Sequence, residues 1–560
     1  MAADDIVAAA PLLEDHDIVP GSVDHRGRRI RDRPSFGGWR SAAFIIVVEV
    51  AERFAYFGIS SNLITYLTGP LGESTAAAAA NVNTWSGTAT LLPVVGAIVA
   101  DSFLGRYTTI VVASLIYAVG LGLLTLSASL TSEAATKSQE VLFFTALYLV
   151  AIGQGGHKPC VQAFGADQFD EHHPKESKAK ASFFNYWYCS MAIGINVALL
   201  IVVYVQDNLN WAVGFGIPCL SMVVALFTFL LGRSTYRFSS KRVEERNPFL
   251  RIGHVIARAF RSSGNHSKVS SGVTTSEGEA YLSSQSSHQF KFLNKALFIQ
   301  RDSTMDEEEQ LKQLCSVKDI EMTKQLLRLV PIWFSILAYA VVFAQVSTFF
   351  TKQGATLDRT IFPNFQIPPA SLQFFLGTAI IVFIPLYDRV FVPIASSLTL
   401  NPTGITTLQR MGTGMFLSVV SMVVAATIEM KRLRMAKDRE MGSIMSIWWL
   451  VPQYVVCGVS DVFTIVGLQE FFYEEVPKEL KSLGLSFYLG VLGVGSFLSG
   501  FLVSVIDEMT VAGEEGNQGW FADDLDEGHL DYFYWLLAGI SGLWFVGYLY
   551  FARSYVYREK

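Results

Sequence analysis

Two groups of long apolar runs constrain the fold of this chain more than any other feature of its sequence. A helix needs about 20 predominantly apolar residues to cross the hydrocarbon core of a membrane. Runs of that length lie near 41–67, 78–100, 107–130, 138–159, 182–204 and 210–232, and then near 324–350, 370–388, 408–429, 446–472, 482–506 and 530–552. Charged residues make up only 16% of the 560 residues, against about 25% in soluble domains. The sequence therefore predicts an all-α integral membrane protein with twelve spanning helices.

A long polar segment rich in Ser, Lys, Arg and Glu separates the two groups of runs, and it predicts two six-helix bundles joined by a linker. The predicted domains are a cytosolic N-terminal tail over 1–40, a six-helix bundle over 41–232, a cytosolic linker over 233–320, a second six-helix bundle over 321–552 and a cytosolic tail over 553–560. Within the linker, residues 248–259 have the pattern of an amphipathic surface helix. The first 40 residues contain no apolar core, so we expect no cleaved signal peptide.

The distribution of Lys and Arg predicts which helix ends face the cytosol, because cytosolic loops are enriched in these residues. Basic residues precede the first run, open the linker and occur in the C-terminal tail, which places all three segments in the cytosol. The loop over 507–531 carries many acids and neither Lys nor Arg, as an outer loop does. One loop conflicts with this orientation, since the following basic residues would face outward: Lys431, Arg432, Arg434, Lys437 and Arg439.

Several classes of function find no support in the composition. The five cysteines are scattered and mostly lie in apolar runs, which argues against a disulfide framework and against a metal site. No basic tail or basic helix face indicates a nucleic-acid partner, and no nucleophile–base pair or metal-ligand spacing indicates an enzyme. We therefore expect a protein without a cofactor that lies in the lipid bilayer.

Three charged residues lie in the middle of the first apolar run, namely Glu49, Glu52 and Arg53. Spacings of three and four residues place them on one face of a helix, and each charge costs roughly 2.5–3.5 kcal/mol at the centre of a bilayer. Pairing between Glu52 and Arg53 would leave one spare carboxylate, which is what a proton carrier needs. The alternative is a structural ion pair that braces the packing of the helix.

Two further charged residues lie inside apolar runs. Lys158 follows a glycine-rich stretch near the end of the fourth run, where close helix packing would bring it within reach of the acids of the first run. Its alternative role is to snorkel to the cytosolic interface. Asp461 would place an anion opposite these cations, or else serve as a hydrogen-bonded packing acid. His157, adjacent to Lys158, is interpreted as a packed polar residue.

The end of the second run predicts a cytosolic turn built by Asp101, Gly105 and Arg106. Gly105 suits a left-handed helix C-cap, and Arg106 would pair with an acid on a neighbouring helix. Making and breaking that pair would gate transport, and a plain turn is the equal alternative. Kinks are expected at the prolines inside apolar runs, which are Pro93, Pro331, Pro385 and Pro452.

Motifs along the whole chain resemble those of one family. They are the run of Glu49, Glu52, Arg53, Phe54 and Tyr56, the turn over 101–106, and the segments 155–159, 164–169, 182–186, 331–333 and 451–454. In this order, over residues 30–555, they are similar to the proton-coupled oligopeptide transporters, specifically the plant nitrate/peptide transporter family of the major facilitator superfamily. The resemblance implies a twelve-helix major facilitator fold, alternating access and proton symport.

The resemblance also implies roles for single residues. Glu49, Glu52 and Arg53 would couple the proton, with Lys158 as their partner, and Asp461 stands where the family usually has a glutamate that holds a substrate amine. Further residues assigned to the substrate cavity are Tyr56, Thr90, Phe343 and Gln345.

Four departures from the family pattern bear on the substrate, and the first is that Asp461 is one methylene shorter than the usual Glu. Thr90 stands where peptide carriers tend to have Tyr, and Ala192 where they tend to have Asn. Both changes remove hydrogen bonds that a peptide would use. Phe343 replaces the His that precedes Ala-Gln in the family's best-known nitrate transporter, which makes the cavity more apolar.

These observations predict a proton-coupled symporter of a small anion, nitrate included, or of a small organic metabolite. The alternatives are a di/tripeptide symporter, a passive uniporter and a transporter-like sensor. We expect a multi-pass protein of the plasma membrane, with the vacuolar membrane as the alternative.

Thr109 is a candidate phosphorylation site, which would make a kinase a partner of the protein. It lies three residues after Arg106, a spacing that basophilic kinases prefer, and it matches a phosphorylated Thr in the nitrate transporter that the chain resembles. The alternative is a buried helix residue that no kinase reaches.

Overall fold

The structure of the chain is a computed structural model. It describes residues 19, 22–30, 33–130, 137–170, 173–239, 248–263, 290–297, 316–363, 365–399, 404–437, 444–476, 481–511 and 519–555. The predicted basic residues Arg439, Lys560 and Arg558, and most of the linker, lie outside these residues.

Long helices follow the apolar runs in both halves of the chain. The first half contains α1 (Gly38–Ser60), α2 (Leu63–Thr68), α3 (Thr75–Val99), α4 (Arg106–Ser129), α5 (Lys137–Ala166), α6 (Pro174–Val197), α7 (Val203–Asn208) and α8 (Trp211–Leu231). The linker contains α9 (Pro248–Ser263). The second half contains α10 (Val317–Ser335), α11 (Leu337–Phe343), α12 (Phe349–Ala355), α13 (Gln373–Leu386), α14 (Val392–Thr399), α15 (Thr407–Lys437), α16 (Val451–Glu475), α17 (Lys481–Val511) and α18 (Leu530–Ser554).

The described helices account for twelve membrane crossings, as predicted. Nine spans are long and apolar enough to cross a membrane, and the bent pair Val317–Ser335 and Leu337–Ala355 makes a tenth. The remaining two are α1 and α5, which are long enough but carry charged and polar side chains in their middle or second half. These charged and polar side chains lower the mean hydropathy of α1 and α5. A test based on hydropathy alone therefore does not identify these two helices as membrane spans.

The described residues form two compact units. The first comprises Met1–Leu63, Pro70–Gly72 and Leu92–Val243, and the second comprises Ile64–Gly69, Glu73–Leu91 and Glu244–Lys560. In the first unit, α1 packs on α6 and α8, and α4 packs on α5 and α8. In the second unit, α15 packs on α16 and α18, α13 packs on α16, and α11 packs on α17.

The segment before α1 is a structured part of the first unit. Its strand β1 (Ser22–Val23) pairs with β2 (Phe238–Ser239), which lies just after the sixth span. Arg237, only 3% exposed, forms an ion pair of 2.6 Å with Glu176 and donates to the Phe36 carbonyl at 3.0 Å. Composition predicted only a polar tail here, and the long-range partners of this tail were missed.

The structure corrects one of the four proline predictions, that for Pro452. Pro331 lies in the bent pair α10–α11, whose two helices meet at 44°. Pro93 and Pro385 lie inside helices, and Pro385 directly precedes a π-helical turn over Tyr387–Phe391. Pro452 is not a kink, because it lies in the first turn of α16. A proline fits there since the first amides of a helix need no partner within the helix.

Two residues of the basic cluster that conflicted with the predicted orientation are engaged by other side chains. Helix α15 continues through these residues, and Arg432 is buried against Glu429 and Asp526. The Lys431 ammonium lies 3.2 Å from the centre of the Trp449 ring. These two cations are therefore not the free loop charge on which the orientation rule is based.

The predicted amphipathic helix of the linker is present as α9. Val255 and Ala259 on its buried face pack against Leu293, Ala296 and Ile320. Its apolar face is thus covered by a short 3₁₀ segment over Lys291–Leu297 and by the start of α10.

Candidate functional site

A buried charge cluster occupies the middle of α1. Glu49, Glu52 and Arg53 are 3%, 0% and 4% exposed. Arg53 Nε lies 3.3 Å from Glu49 Oε1, and its Nη2 forms a second ion pair with Glu52. The helical spacing therefore brings all three side chains together, and one guanidinium neutralises parts of two carboxylates.

Small residues let neighbouring helices approach this cluster. A Cβ on Gly194 of α6 would lie 2.7 Å from the Val50 carbonyl oxygen and 3.3 Å from Arg53 Cβ. A Cβ on Gly153 of α5 would lie 2.7 Å from Tyr117 Cβ on α4. A larger side chain at either position would require the backbone to move. Gly194 therefore sets how closely α6 packs on α1, and Gly153 sets how closely α5 packs on α4.

Aromatic hydroxyl groups border the charges. Tyr117 is fully buried and lies within electrostatic range of Glu52 and Arg53. The Arg53 guanidinium carbon lies 5.9 Å from the centre of the half-buried Tyr56 ring. Tyr56 therefore lies next to Arg53, one of the proton-coupling candidates.

Lys158 adds a second cation from α5. It lies within electrostatic range of Glu49, Glu52 and Arg53, although among the described residues it forms no direct ion pair with either acid. The cluster thus contains two carboxylates and two cations, and its formal charge is zero when all four are ionised. One proton would raise that charge to +1.

His157 is the residue of this region that sequence reasoning undervalued. It is fully buried, and its ring nitrogen, one Glu49 oxygen and one Glu52 oxygen all lie within 4.8 Å of one another. Carboxylate and imidazole ligands are also those of divalent metals. However, Arg53 already pairs with both acids and Lys158 adds further positive charge, so the electrostatics favour a proton over a divalent cation.

Asp461 forms a separate polar site in the second unit. It lies in α16, is 2% exposed, and accepts a hydrogen bond from the Tyr339 hydroxyl. The Tyr339 ring stacks on Phe343 with 6.4 Å between ring centres. Sequence reasoning missed Tyr339, although its position one turn before Phe343 places both rings on the same helical face.

The other predicted cavity residues differ in accessibility. Phe343 and Thr90 are half-buried. Gln345 is fully buried, and its amide donates to Ser499 Oγ at 2.9 Å and to the Val341 carbonyl at 2.8 Å. Ser499 also accepts from Asn83 at 3.0 Å. Gln345 is therefore linked to α17 through Ser499, and its place in the substrate cavity stays a prediction.

The predicted cytosolic turn is present with one correction. Residues Ala100–Leu104 form a π-helical turn, and Gly105 has the expected positive φ of 75° but a ψ of 150°. That ψ is extended rather than left-handed helical, so Gly105 links two helices instead of capping one. Arg106 Nη1 lies 2.5 Å from Asp167 Oδ2 in an exposed ion pair. The side chain of Asp101 lies outside the described residues, and gating stays a prediction.

Thr109 is 5% exposed, and its hydroxyl donates to the Gly105 carbonyl at 3.0 Å. A Cβ on Gly156 of α5 would lie 3.4 Å from its methyl group. Phosphorylation of Thr109 stays a prediction, and it requires this end of α4 to separate from α5 first.

A second buried ion cluster in the second unit was also missed. Arg432 lies 2.7 Å from Glu429, forms an ion pair with Asp526, and donates to the Leu525 carbonyl at 2.7 Å. Gln353 donates to the other Glu429 oxygen at 2.7 Å. Glu429 lies on α15 with Arg432, whereas Asp526 and Leu525 lie in the segment just before α18. The cluster therefore joins α15 to that segment.

Comparison with known proteins places the chain in a family. The model of the PTR2 or POT family matches residues 107–521. Protein NRT1/PTR FAMILY 5.10 of Arabidopsis thaliana is 56% identical over 96% of this chain and 98% of that protein, and NRT1/PTR FAMILY 5.14 of the same plant is 55% identical over 97% of each.

Solved structures show the same fold at lower sequence identity. An autoinhibited POT family peptide transporter has a TM-score of 0.69 and 21% identity, covering 93% of this chain and 98% of its own. The POT family transporter PepTSo has a TM-score of 0.67 and 22% identity, covering 92% and 98%. The chain therefore belongs to the POT family, alongside the plant NRT1/PTR FAMILY proteins, and is a multi-pass membrane transporter of the twelve-helix major facilitator fold rather than an enzyme.

Proposed function

We propose that this transporter is a proton-coupled symporter that moves a small anion, nitrate included, or a small organic metabolite by alternating access. The observation that carries the proposal is the buried cluster of two carboxylates and two cations in the first unit. Such groups are costly in a membrane and mark proton or ion pathways there.

The charge balance of the cluster supplies the coupling. When Glu49 or Glu52 takes up a proton, Arg53 loses one of its two anionic partners, and the cluster gains one net positive charge. A buried uncompensated charge is unfavourable until it is paired again. An anionic solute, or the carboxylate of a metabolite, would restore the pairing, so proton and solute would bind together.

The second unit supports a small solute. The Asp461 carboxylate already accepts a hydrogen bond from Tyr339, and Phe343 adds apolar surface beside it. With Thr90 in place of a larger polar residue, this unit offers fewer hydrogen bonds to a peptide backbone. Structures of fold neighbours were solved with sulfate and with 5-aminolevulinic acid, which are solutes of this size.

Uptake at two external pH values tests the symport proposal. Oocytes expressing the full chain would be given nitrate, small carboxylates and a dipeptide at pH 5.5 and pH 7.5, with and without a protonophore. We expect uptake of a small solute that rises at acidic pH and collapses with the protonophore. Uptake that changes neither with external pH nor with the protonophore would indicate a uniporter. If the protein reaches the cell surface but takes up none of the solutes, a sensor is favoured.

The Lys158→Gln variant is expected to reach the membrane but to lose accumulation of the solute. Removal of this cation leaves Arg53 alone against two carboxylates, so the cluster would carry a net negative charge without a proton. The measurement is acid-driven uptake per transporter at the surface. Lys137→Gln, an exposed substitution at the start of α5, is the matched control. Normal accumulation of the solute in Lys158→Gln would instead indicate that Lys158 only extends its ammonium group to the cytosolic interface.

The Phe343→His variant is expected to raise nitrate uptake, and dipeptides are expected to be poor substrates of the wild type. An imidazole at this half-buried position would supply a hydrogen-bond donor to an anion, where the phenyl ring supplies none. The measurement is nitrate uptake at pH 5.5, with Phe334→His on an exposed face of α10 as control. Equal nitrate uptake in wild type and Phe343→His, or competition by a dipeptide at micromolar concentration, would contradict this account of the cavity.

A further inference from the structure

His157 is a buried titratable group that the proposed coupling mechanism does not use. It is 0% exposed, and neither of its ring nitrogens has a hydrogen-bond partner among the described residues. A buried polar group without a partner costs free energy, and native proteins rarely keep one without a reason. A purely structural packing role would be filled more cheaply by an apolar side chain.

The polar groups of the cluster that contains His157 come from three helices. Helix α1 supplies Glu49, Glu52 and Arg53, which lie near His157. Arg53 in turn lies near Tyr56 of α1, Tyr117 of α4 and Lys158 of α5, and Gln154 precedes His157 by three residues on α5. Among the described residues, the Tyr117 hydroxyl and Gln154 Oε1 are also buried without a hydrogen-bond partner, and Glu52 is engaged by its ion pair with Arg53. The region therefore contains polar groups beyond those that the Arg53 ion pairs engage.

The chemistry of a neutral imidazole fits a position where one ring nitrogen lies near two carboxylates. One ring nitrogen carries a proton and donates, while the other has a lone pair and accepts. A third permanent cation beside Arg53 would be costly in this buried site, so the neutral ring is the resting form. The ring nitrogen and both carboxylate oxygens lie within 4.8 Å of one another, a separation that one water molecule or a small side-chain rotation bridges.

We propose that His157 relays the coupling proton between Glu52 and Glu49. The inference rests on the proposed proton symport. The protonated Glu52 carboxyl gives its proton to the unprotonated ring nitrogen that lies near both acids, and the same nitrogen then gives that proton to the Glu49 carboxylate. An O–H bond breaks as an N–H bond forms, that N–H bond then breaks as a new O–H bond forms, and the ring returns to its starting tautomer after a transient imidazolium.

The direction of the relay follows from the predicted orientation. Helix α1 starts in the cytosol, so Glu49 lies nearer the cytosol than Glu52 by about one turn. A proton that enters from outside would reach Glu52 first and leave from Glu49. Arg53 pairs with both acids. As the proton moves from Glu52 to Glu49, the negative charge moves from Glu49 to Glu52, and the Arg53 guanidinium would shift toward Glu52 with it.

The test measures proton uptake by the purified full-length protein in lipid nanodiscs after a rapid drop of pH, with the proton itself as the only ligand. A pH-indicator dye records both the rate and the number of protons bound. In the wild type we expect a fast phase whose amplitude falls in Glu49→Gln and in Glu52→Gln. Absence of that phase from the wild type would contradict the proposed proton site itself, independently of His157.

The relay predicts a different result for His157→Asn, which keeps a donor and an acceptor but cannot pass a proton. The rate should fall about 10²-fold, the low end of the range for general acid–base groups, while the number of protons bound at equilibrium is unchanged. An unchanged rate in a folded His157→Asn or His157→Gln variant overturns the relay. A merely structural role would lower the melting temperature and the amplitude together, and would not change the solvent deuterium isotope effect on the rate.

His254→Asn is the matched control, because His254 is exposed on α9 and far along the chain from the cluster. Its rate and amplitude should equal those of the wild type.

Discussion

The Glu52→Gln variant is expected to lose acid-driven accumulation of the solute while it still exchanges solute across the membrane. Glu52 is fully buried and forms an ion pair with Arg53, and within the described part of the chain its oxygens have no other hydrogen-bond partner. Glutamine mimics the protonated acid, so the loaded carrier can still change state, but no proton is released. One proton moved with one anion carries no net charge, so the pH gradient drives accumulation at about 1.4 kcal/mol per pH unit, and loss of coupling lowers the accumulation ratio about tenfold per unit of pH gradient.

Two measurements on the same preparation separate coupling from folding. Uptake against a gradient should fall to the level of passive equilibration, and counterflow of labelled against unlabelled solute should remain. Glu140→Gln, at an exposed position of α5, is the matched control and should behave as the wild type. Retained accumulation in Glu52→Gln would show that this carboxylate is a structural ion-pair partner.

The Arg432→Met variant is expected to destabilise the second unit strongly. Arg432 is 3% exposed and neutralises the fully buried Glu429, while it also pairs with Asp526. Removing one partner of a buried ion pair typically costs about 3–5 kcal/mol, because the remaining charge is left uncompensated. The measurement is thermal unfolding of the purified protein, and it should show a large decrease in melting temperature.

The neighbouring Arg434 provides the control for this prediction. It is exposed on the same helix, so Arg434→Met should change the melting temperature little. The double variant Glu429→Gln with Arg432→Met should recover part of the loss, since it removes the orphaned charge. Equal melting temperatures for Arg432→Met and Arg434→Met would contradict the bracing role of the cluster.

The proton-coupling candidates were predictable because their geometry is local. Residues three and four positions apart share a helical face whatever the helix packs against, and charges in an apolar run are costly enough to demand an explanation. Gly153 and its neighbours similarly indicated close packing of α5, which the structure has. Apolar runs likewise indicated the twelve spans, although α1 and α5 carry charged and polar residues that lower their mean hydropathy.

The missed features all join positions far apart in the sequence. Tyr339 and Asp461 are separated by 122 positions, Arg432 and Asp526 by 94, and Arg237 and the Phe36 carbonyl by 201. Hydrophobic periodicity shows which face of a helix is buried but not which helix covers it. His157 was undervalued for the same reason, because its significance comes from carboxylates on α1 rather than from its own neighbours in the sequence.

The most direct test of the central claim is the simultaneous measurement of solute and proton influx into proteoliposomes that contain only this protein. A pH dye inside the vesicles and labelled nitrate, or whichever small solute gives the largest acid-driven uptake in oocytes, would be followed together. The account predicts that adding the solute outside acidifies the lumen in the wild type, and that neither Glu49→Gln nor Glu52→Gln does so. Solute influx without acidification of the lumen in the wild type would contradict proton coupling through the buried cluster.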